Sequence, residues 1–354
     1  MQPRSHEDNR IGYADEHLEH PYPEYPMDQT TVGIPVGNTR HTHSISTTEC
    51  QKLIDNLATL AARDPGQRGF STVAATGQLQ PAAEALLAGS RIIITTGFCI
   101  RAAMIGENDG PPGALALANA LRQLGKAVAF VTDRFSRSLL EAGAELYGGA
   151  FPITELSQTQ TTADTQIAEL LDAFQPTQVV AIERPGSAID GHRYSMRGQI
   201  LDDLVPATDR LLTPESPRHF STIAIGDGGN ELGLGSLRES HMQHVKHGEI
   251  IFCATPADFV IPAGISNWGA YALVGALAVL SGQPLMPPPE QERRVLERLL
   301  AAGAVDGCTG QAECSVDGIA WEDYAATLRE MHRIVCNNCA SGLRWHDDAP
   351  NHAA

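Results

Sequence analysis

Four short stretches of the chain concentrate side chains that can do chemistry. The first follows the apolar run RIIITTG and holds Thr96 and Gly97, then Glu107, Asn108, Asp109 and Gly110. The second, ERPGSAIDGHRYSMRG, carries Glu183, Arg184, Asp190, His192, Tyr194 and Arg197. The third, IGDGGNELGLG, sets Asp227, Asn230 and Glu231 among five glycines that include Gly228 and Gly229, and the fourth, IPAGISNWGA, places Ser266 and Asn267 just ahead of a helix. Carboxylates in such loops bind ammonium groups and move protons, while the forked guanidinium of Arg184 or Arg197 can grip a carboxylate through two bonds. An acidic loop such as GDGGNE suits a cationic amine, or a divalent ion (Mg or Mn) on Asp227 and Glu231, better than a phosphate. Together they predict a small ligand bearing both charges.

Each feature also has a plain structural reading. Glycine-rich turns are often only tight turns, Glu183 and Arg184 could pair as ions, Arg197 could cap a helix, and a loop histidine such as His192 is usually solvated. Convergence favours a site, because polar, glycine-rich loops after successive buried strands are expensive to keep unless they bind something. Nucleotide motifs fail on spacing. In GDGGNE the third glycine of GxGxxG is Glu231, whose carboxylate would face a pyrophosphate, and Gly125-Lys126 is followed by Ala127 rather than Ser or Thr. The only lysines, Lys52, Lys126 and Lys246, lie outside these loops, which disfavours a pyridoxal phosphate Schiff base.

The elements that must hold these loops follow from hydrophobic patterning. Ile92, Ile93, Ile94, Thr95 and Thr96 form a β-branched run expected of a strand buried on both faces, and Pro111 and Pro112 suit the start of the next helix. Asp109, just before them, can cap that helix or hold a ligand against its free N–H groups. KAVAFVTD, TQVVAI at 177–182, STIAIGD at 221–227 and EIIFCA at 249–254 read as further strands separated by helical segments. The alternation predicts an α/β fold, a doubly wound, mostly parallel sheet with helices on both faces (a Rossmann-like three-layer arrangement), closed by a helical C-terminal segment. The four loops then share the carboxyl edge of one sheet, where open α/β sheets bind ligands. Residues 45–340 are expected to form a single domain, between an acidic, proline-rich disordered tail (1–44) and a flexible C-terminus (341–354).

Bulk composition excludes several partners. A formal net charge of -17 argues against nucleic acid, and AYALVGALAVL at 270–280 is too short to span a bilayer and reads as a buried helix. Seven scattered cysteines do not form a secreted disulfide framework, and no signal or transit sequence is evident, so a cytoplasmic location is expected. Cys336 and Cys339 have zinc-knuckle spacing but fall on a helical pattern, which favours free thiols. A homo-oligomer stays open.

Read together, DPGQRGF (64–70), ITTGF (94–98), NDGPPGALALANAL (108–121), IERPG (182–186), DGHRYSMRG (190–198), IGDGGNELGLG (225–235) and AGISNWGAYAL (263–273) make the chain resemble the carboxy-terminal domain of the D-glutamate cyclase family. Cys99 and Ile100 depart from the proline-containing pair expected after TGF, and the amino-terminal domain of longer members has no counterpart, as in a free-standing bacterial-type member. The resemblance implies a lyase converting D-glutamate to 5-oxo-D-proline and water, with no required cofactor beyond a divalent ion. On that chemistry Asp227 or Glu231 is the expected base for the α-ammonium, and Asp109 with a helix start, or a metal, is the clamp on the developing oxyanion. Arg184 or Arg197 would hold the α-carboxylate, with Ser266, Asn267 and the backbone around Thr96, Gly97, Gly110 and Gly228–Asn230 completing the contacts. Ring closure within one molecule needs no ATP. A nucleotide-dependent kinase or oxidoreductase on the same sheet, and a non-catalytic amino-acid-binding module, are the alternatives.

Overall fold

A computed structural model describes residues 47–69, 78–214 and 217–338; the expected tail and C-terminal segment lie outside them, as does Cys339. Six strands, β1 (Arg91–Thr96), β2 (Ala127–Thr132), β3 (Ile153–Glu155), β4 (Gln178–Ile182), β5 (Ser221–Gly226) and β6 (Phe259–Pro262), form one sheet. Its order is β3-β2-β1-β4-β5-β6 and every pairing is parallel. That is the doubly wound order, which reverses direction between β1 and β4 and opens a crevice at their carboxyl ends. Central strands β1 and β4 are buried on both faces, as their unbroken apolar runs require.

Eight helices of at least two turns pack around the sheet among the described residues: α1 (Thr47–Ala61), α2 (Leu79–Ala88), α3 (Pro111–Gln123), α4 (Arg137–Ala144), α5 (Gln160–Phe174), α6 (Ser266–Ser281), α7 (Pro289–Ala301) and α8 (Trp321–Asn338). The AYALVGALAVL segment lies in α6, which is buried from Ser266 to Val279 and packs on α1, α2, α3 and α8. Fully buried Leu57, Leu117, Leu273 and Leu277 sit in this layer, each worth about 1.5–3 kcal/mol relative to exposure. No helix among the described residues is long and apolar enough to cross a membrane.

One strand expectation needs correction, and the two edge strands were not expected. EIIFCA is not a strand: Gly248–Ile251 forms a short helical turn, and Ile251, Phe252 and Cys253 bury themselves against the loop residues Ala188, Tyr194 and Leu234. The sixth strand comes one segment later, where the Asp258 carboxylate accepts the N–H of Thr222 at 2.8 Å and aligns Phe259–Pro262 beside β5. Pro262, without an N–H, is tolerated because this strand is the sheet edge and Pro262 is its last residue. The edge strand Ile153–Glu155 is too short to carry a pattern.

Candidate active site

The four loops meet at the crevice. Asp109 ends the loop after β1, Glu183 and Arg184 follow β4, Asp227 follows β5, and Ser266 and Asn267 begin α6 after β6. One carboxylate oxygen from each of Asp109, Glu183 and Asp227 lies within 4.8 Å of the other two, and all three residues are buried. The backbone between them must approach closely. Gly110 has φ of 93°, and a Cβ there would strike the Glu183 side chain and Thr96 Oγ1.

Asp109 caps a helix other than the one that follows it. Its carboxylate accepts the N–H of Ser266 at 2.9 Å and of Asn267 at 2.8 Å at the start of α6, as well as Gly110 N–H at 3.0 Å. Asn267 returns the arrangement: its Oδ1 accepts Gly110 N–H at 3.0 Å and Gly113 N–H at 2.9 Å at the start of α3. Each helix therefore has its orphan N–H groups satisfied by a side chain belonging to the other. Ser266 donates its hydroxyl to Glu183 at 2.5 Å and its N–H to Asp227 at 3.2 Å, so the α6 N-terminus faces three carboxyls.

Other expected residues serve their own loops. Glu231 takes the N–H groups of Asp227 (3.1 Å), Gly228 (2.6 Å) and Gly229 (2.7 Å), so both oxygens are engaged in folding the glycine loop and it stands outside the three-carboxylate cluster. Arg184 is fully buried, ion-paired with Asp133 and donating to Gly97 O at 3.1 Å. It fixes the turn after β1 and does not line the adjoining cavity. Arg197 is exposed on that cavity's rim, with Nη2 3.0 Å from Cys308 O. Asn230 donates to Tyr194 O at 2.7 Å, and its Oδ1 is buried without a partner, as is Thr96 Oγ1. His192 is exposed and pairs with Asp202 at 2.6 Å away from the cavity.

The cavity itself encloses about 390 Å³. Arg68, Glu107, Glu183, Asp227 and Asp317 line it, together with Phe98, Ile100, Met196 and Leu201. Arg68 and Asp317 lie outside the four chemistry-bearing stretches, and Glu107, named in the first of them, had no assigned role. Arg68 reaches in from the loop after α1 and bridges Asp227 and Asp317, 2.9 Å from the latter. The Glu107 carboxyl accepts no hydrogen bond among the described residues, and a Cβ at Gly307 would overlap its Oε2. Sequence signals existed for two of the three: Arg68 sits in the quoted DPGQRGF segment, and Glu107 in the loop after β1.

Charge is unevenly balanced here. Glu107, Asp109, Glu183, Asp227, Glu231 and Asp317 gather around one guanidinium, that of Arg68, since Arg184 is answered by Asp133. Burial, then repulsion from neighbouring carboxylates, raises Glu107, Asp109 and Glu183 well above the ordinary carboxyl range. Asp317 is pushed up to about 7, by burial first and then Asp227. Asp227 is also raised by burial, but the Arg68 cation opposes the rise. A cluster so arranged takes up protons or a cation. Three buried oxygen donors on Asp109, Glu183 and Asp227 match the hard, oxygen-only preference of Mg or Mn.

Residues 57–332 match the family model described as D-glutamate cyclase-like, C-terminal. The chain belongs to this family. Over 250 residues it is 34% identical to human mitochondrial D-glutamate cyclase, an alignment that takes in 67% of this chain and 41% of the human protein. The match therefore spans less than half the length of that relative. The family match takes in Arg68, Glu107, Asp109, Glu183, Asp227, Ser266, Asn267 and Asp317 alike.

Proposed function

We propose that the chain is a lyase that closes D-glutamate to 5-oxo-D-proline with release of water, without a nucleotide. The observation that carries this reading is the set of carboxyls around one cavity, two of them bridged by the Arg68 guanidinium. Such a site attracts an ammonium and disfavours a further carboxylate, so it drives a bound γ-carboxylate to accept a proton. The α-ammonium loses a proton at the same time. An amine beside a neutral carboxylic acid is the reactive pair, and holding both in one cavity supplies much of the acceleration.

Asp227 is the base in this scheme because Arg68 opposes the rise that burial imposes on it, and Glu107 is the acid because its carboxyl is buried, held well above the ordinary range, and accepts no hydrogen bond among the described residues. Nitrogen attacks the γ-carbon, Asp227 takes the nitrogen's proton, and the departing hydroxyl takes one from Glu107 and leaves as water. Arg197 on the rim receives the α-carboxylate. Asn230 Oδ1, buried and unpartnered, accepts from the ammonium. Thr96, Gly97, Gly110, Gly228 and Gly229 shape the backbone, and Glu231 and Arg184 hold it. Asp109, Glu183 and Asp227 would hold a divalent ion, which would supply positive charge to the developing oxyanion. A cytoplasmic setting, in keeping with the free thiols, is part of the same proposal.

The test is chiral chromatography of purified protein incubated with D- or L-glutamate, and separately with 5-oxo-D-proline, after chelation and after adding Mn²⁺ or Mg²⁺. Interconversion of the D-pair is expected, and its absence under all three metal conditions rejects the proposal. In parallel, Mn²⁺ should raise the melting temperature of the wild type by a few degrees and leave Glu183→Gln unmoved.

A further inference from the structure

Two properties of the cavity fit free glutamate poorly. Glutamate carries a net negative charge into a space lined by Glu107, Glu183, Asp227 and Asp317 and by three arginines, of which Arg68 and Arg101 are already paired with aspartates and Arg197 stands on the rim. The space is also larger than such a ligand needs, since about 390 Å³ falls within the range of roughly 300–1,000 Å³ that receives drug-sized molecules. The surplus has an apolar character of its own. Phe98 and Ile100 come from the turn after β1, and Met196 and Leu201 from the 190–201 loop. These two segments are joined by Arg101, which donates to Ile200 O at 2.7 Å, and by a shared cluster in which Phe98 packs with Leu201, Leu204 and Val205. Glu183, Asp227 and Asp317 come from other segments and Glu107 from further along the loop after β1; these acids are taken together as the floor, and the four apolar side chains as the wall.

We propose that the preferred substrate class is the γ-D-glutamyl amide of an apolar primary amine. The inference rests on the cyclase reading and extends it at the same site. Replacing the γ-carboxylate by an amide makes the ligand a neutral zwitterion, removing the repulsion with the floor, and its alkyl group lies along Phe98, Ile100, Met196 and Leu201. The reaction is an internal transamidation. The α-ammonium gives up one proton to a floor carboxylate, its nitrogen bonds to the γ-carbonyl carbon and then loses a second proton, and the bond from that carbon to the amide nitrogen breaks. The leaving nitrogen takes up both protons and departs as an alkylammonium, so the products are 5-oxo-D-proline, as its carboxylate, and the protonated amine, and no water, oxidant or second substrate enters.

The experiment compares D-glutamate with γ-D-glutamyl n-butylamide, and both L-enantiomers, on the full-length protein, reading 5-oxoproline by chiral chromatography and butylamine by derivatisation. kcat/KM for the butylamide is expected to exceed that for D-glutamate by roughly tenfold or more, the scale that one or two methylenes in an apolar pocket set. Met196→Glu, on the half-buried part of the wall, is expected to reduce the ratio of the two kcat/KM values about tenfold. Turnover of D-glutamate with the butylamide inert, or no faster, overturns this inference and leaves the cyclase reading standing. An unchanged ratio in Met196→Glu overturns the wall as the alkyl subsite. If neither compound yields 5-oxoproline, both readings fall together.

Discussion

Asp227 has the Arg68 cation against it, which it shares with Asp317, whereas the Glu107 carboxyl accepts no hydrogen bond among the described residues. The two should therefore respond differently to amide substitution. Asp227→Asn is expected to lower kcat by at least a hundredfold while circular dichroism stays that of the wild type. It should also weaken binding slightly, because Arg68 loses half of its ion pair. Glu107→Gln is expected to lower kcat about a hundredfold with little change in the urea midpoint, since the amide has the size and shape of the carboxyl it replaces. A Glu107→Gln variant with wild-type turnover would assign the proton donor elsewhere. At this scale the sequence was a partial guide. Asp109, Glu183, Asp227 and Ser266 could be named because they stand in acidic or polar loops after strands. Arg68 could not, because a single arginine in a turn looks like any solvated residue until the fold brings it 2.9 Å from Asp317. Glu231 was misjudged for the opposite reason: a carboxylate in a glycine loop looks free until its own backbone closes round it.

At the scale of elements, the exchange of caps between α3 and α6 is the most consequential contact. Removing the Asn267 side chain leaves the Gly113 N–H without its acceptor and the Gly110 N–H with Asp109 alone. Asn267→Ala should accordingly cost about 1–3 kcal/mol in urea unfolding, whereas Asn267→Asp, which keeps an acceptor, should recover part of it despite the added charge. Sequence patterning made the helices and four of the six strands legible, because runs such as Ile92–Ile94 and Val179–Val180 admit one environment only. It failed at Glu249–Ala254, where an apolar run satisfied itself against loops, and at Ile153–Glu155, where three residues set no period. It could not have identified the exchanged caps, since Asp109 and Asn267 are 158 residues apart.

At the scale of the whole molecule, a second buried acid ties the helical layer together away from the cavity. Glu292 on α7 accepts the hydroxyls of Tyr271 on α6 and of Tyr324 on α8, the latter at 2.7 Å. Burial pushes its carboxyl up to about 7, against the opposing effect of the two tyrosine bonds. A folded-state value above the unfolded one means that stability is fully present below the unfolded pKa and is lost as pH rises through the folded one. Relative to Glu292→Gln, the wild type should lose about 3 kcal/mol as pH climbs from about 4.5 to above 7. Urea titrations of both proteins across that interval measure the difference, and parallel curves would contradict it. The cavity acids push in the same direction, so the variant should keep some pH dependence of its own.

The exchanged caps also bear on timing. The exchanged caps of α3 and α6 exist only once the two halves of the chain have met, because Gly113 N–H is taken by Asn267 and the N–H groups of Ser266 and Asn267 by Asp109. The contact that closes both helix starts is also the one that brings Asp109 beside Glu183 and Asp227, so the cost of gathering these carboxyls falls on the meeting of the two halves and on neither half alone.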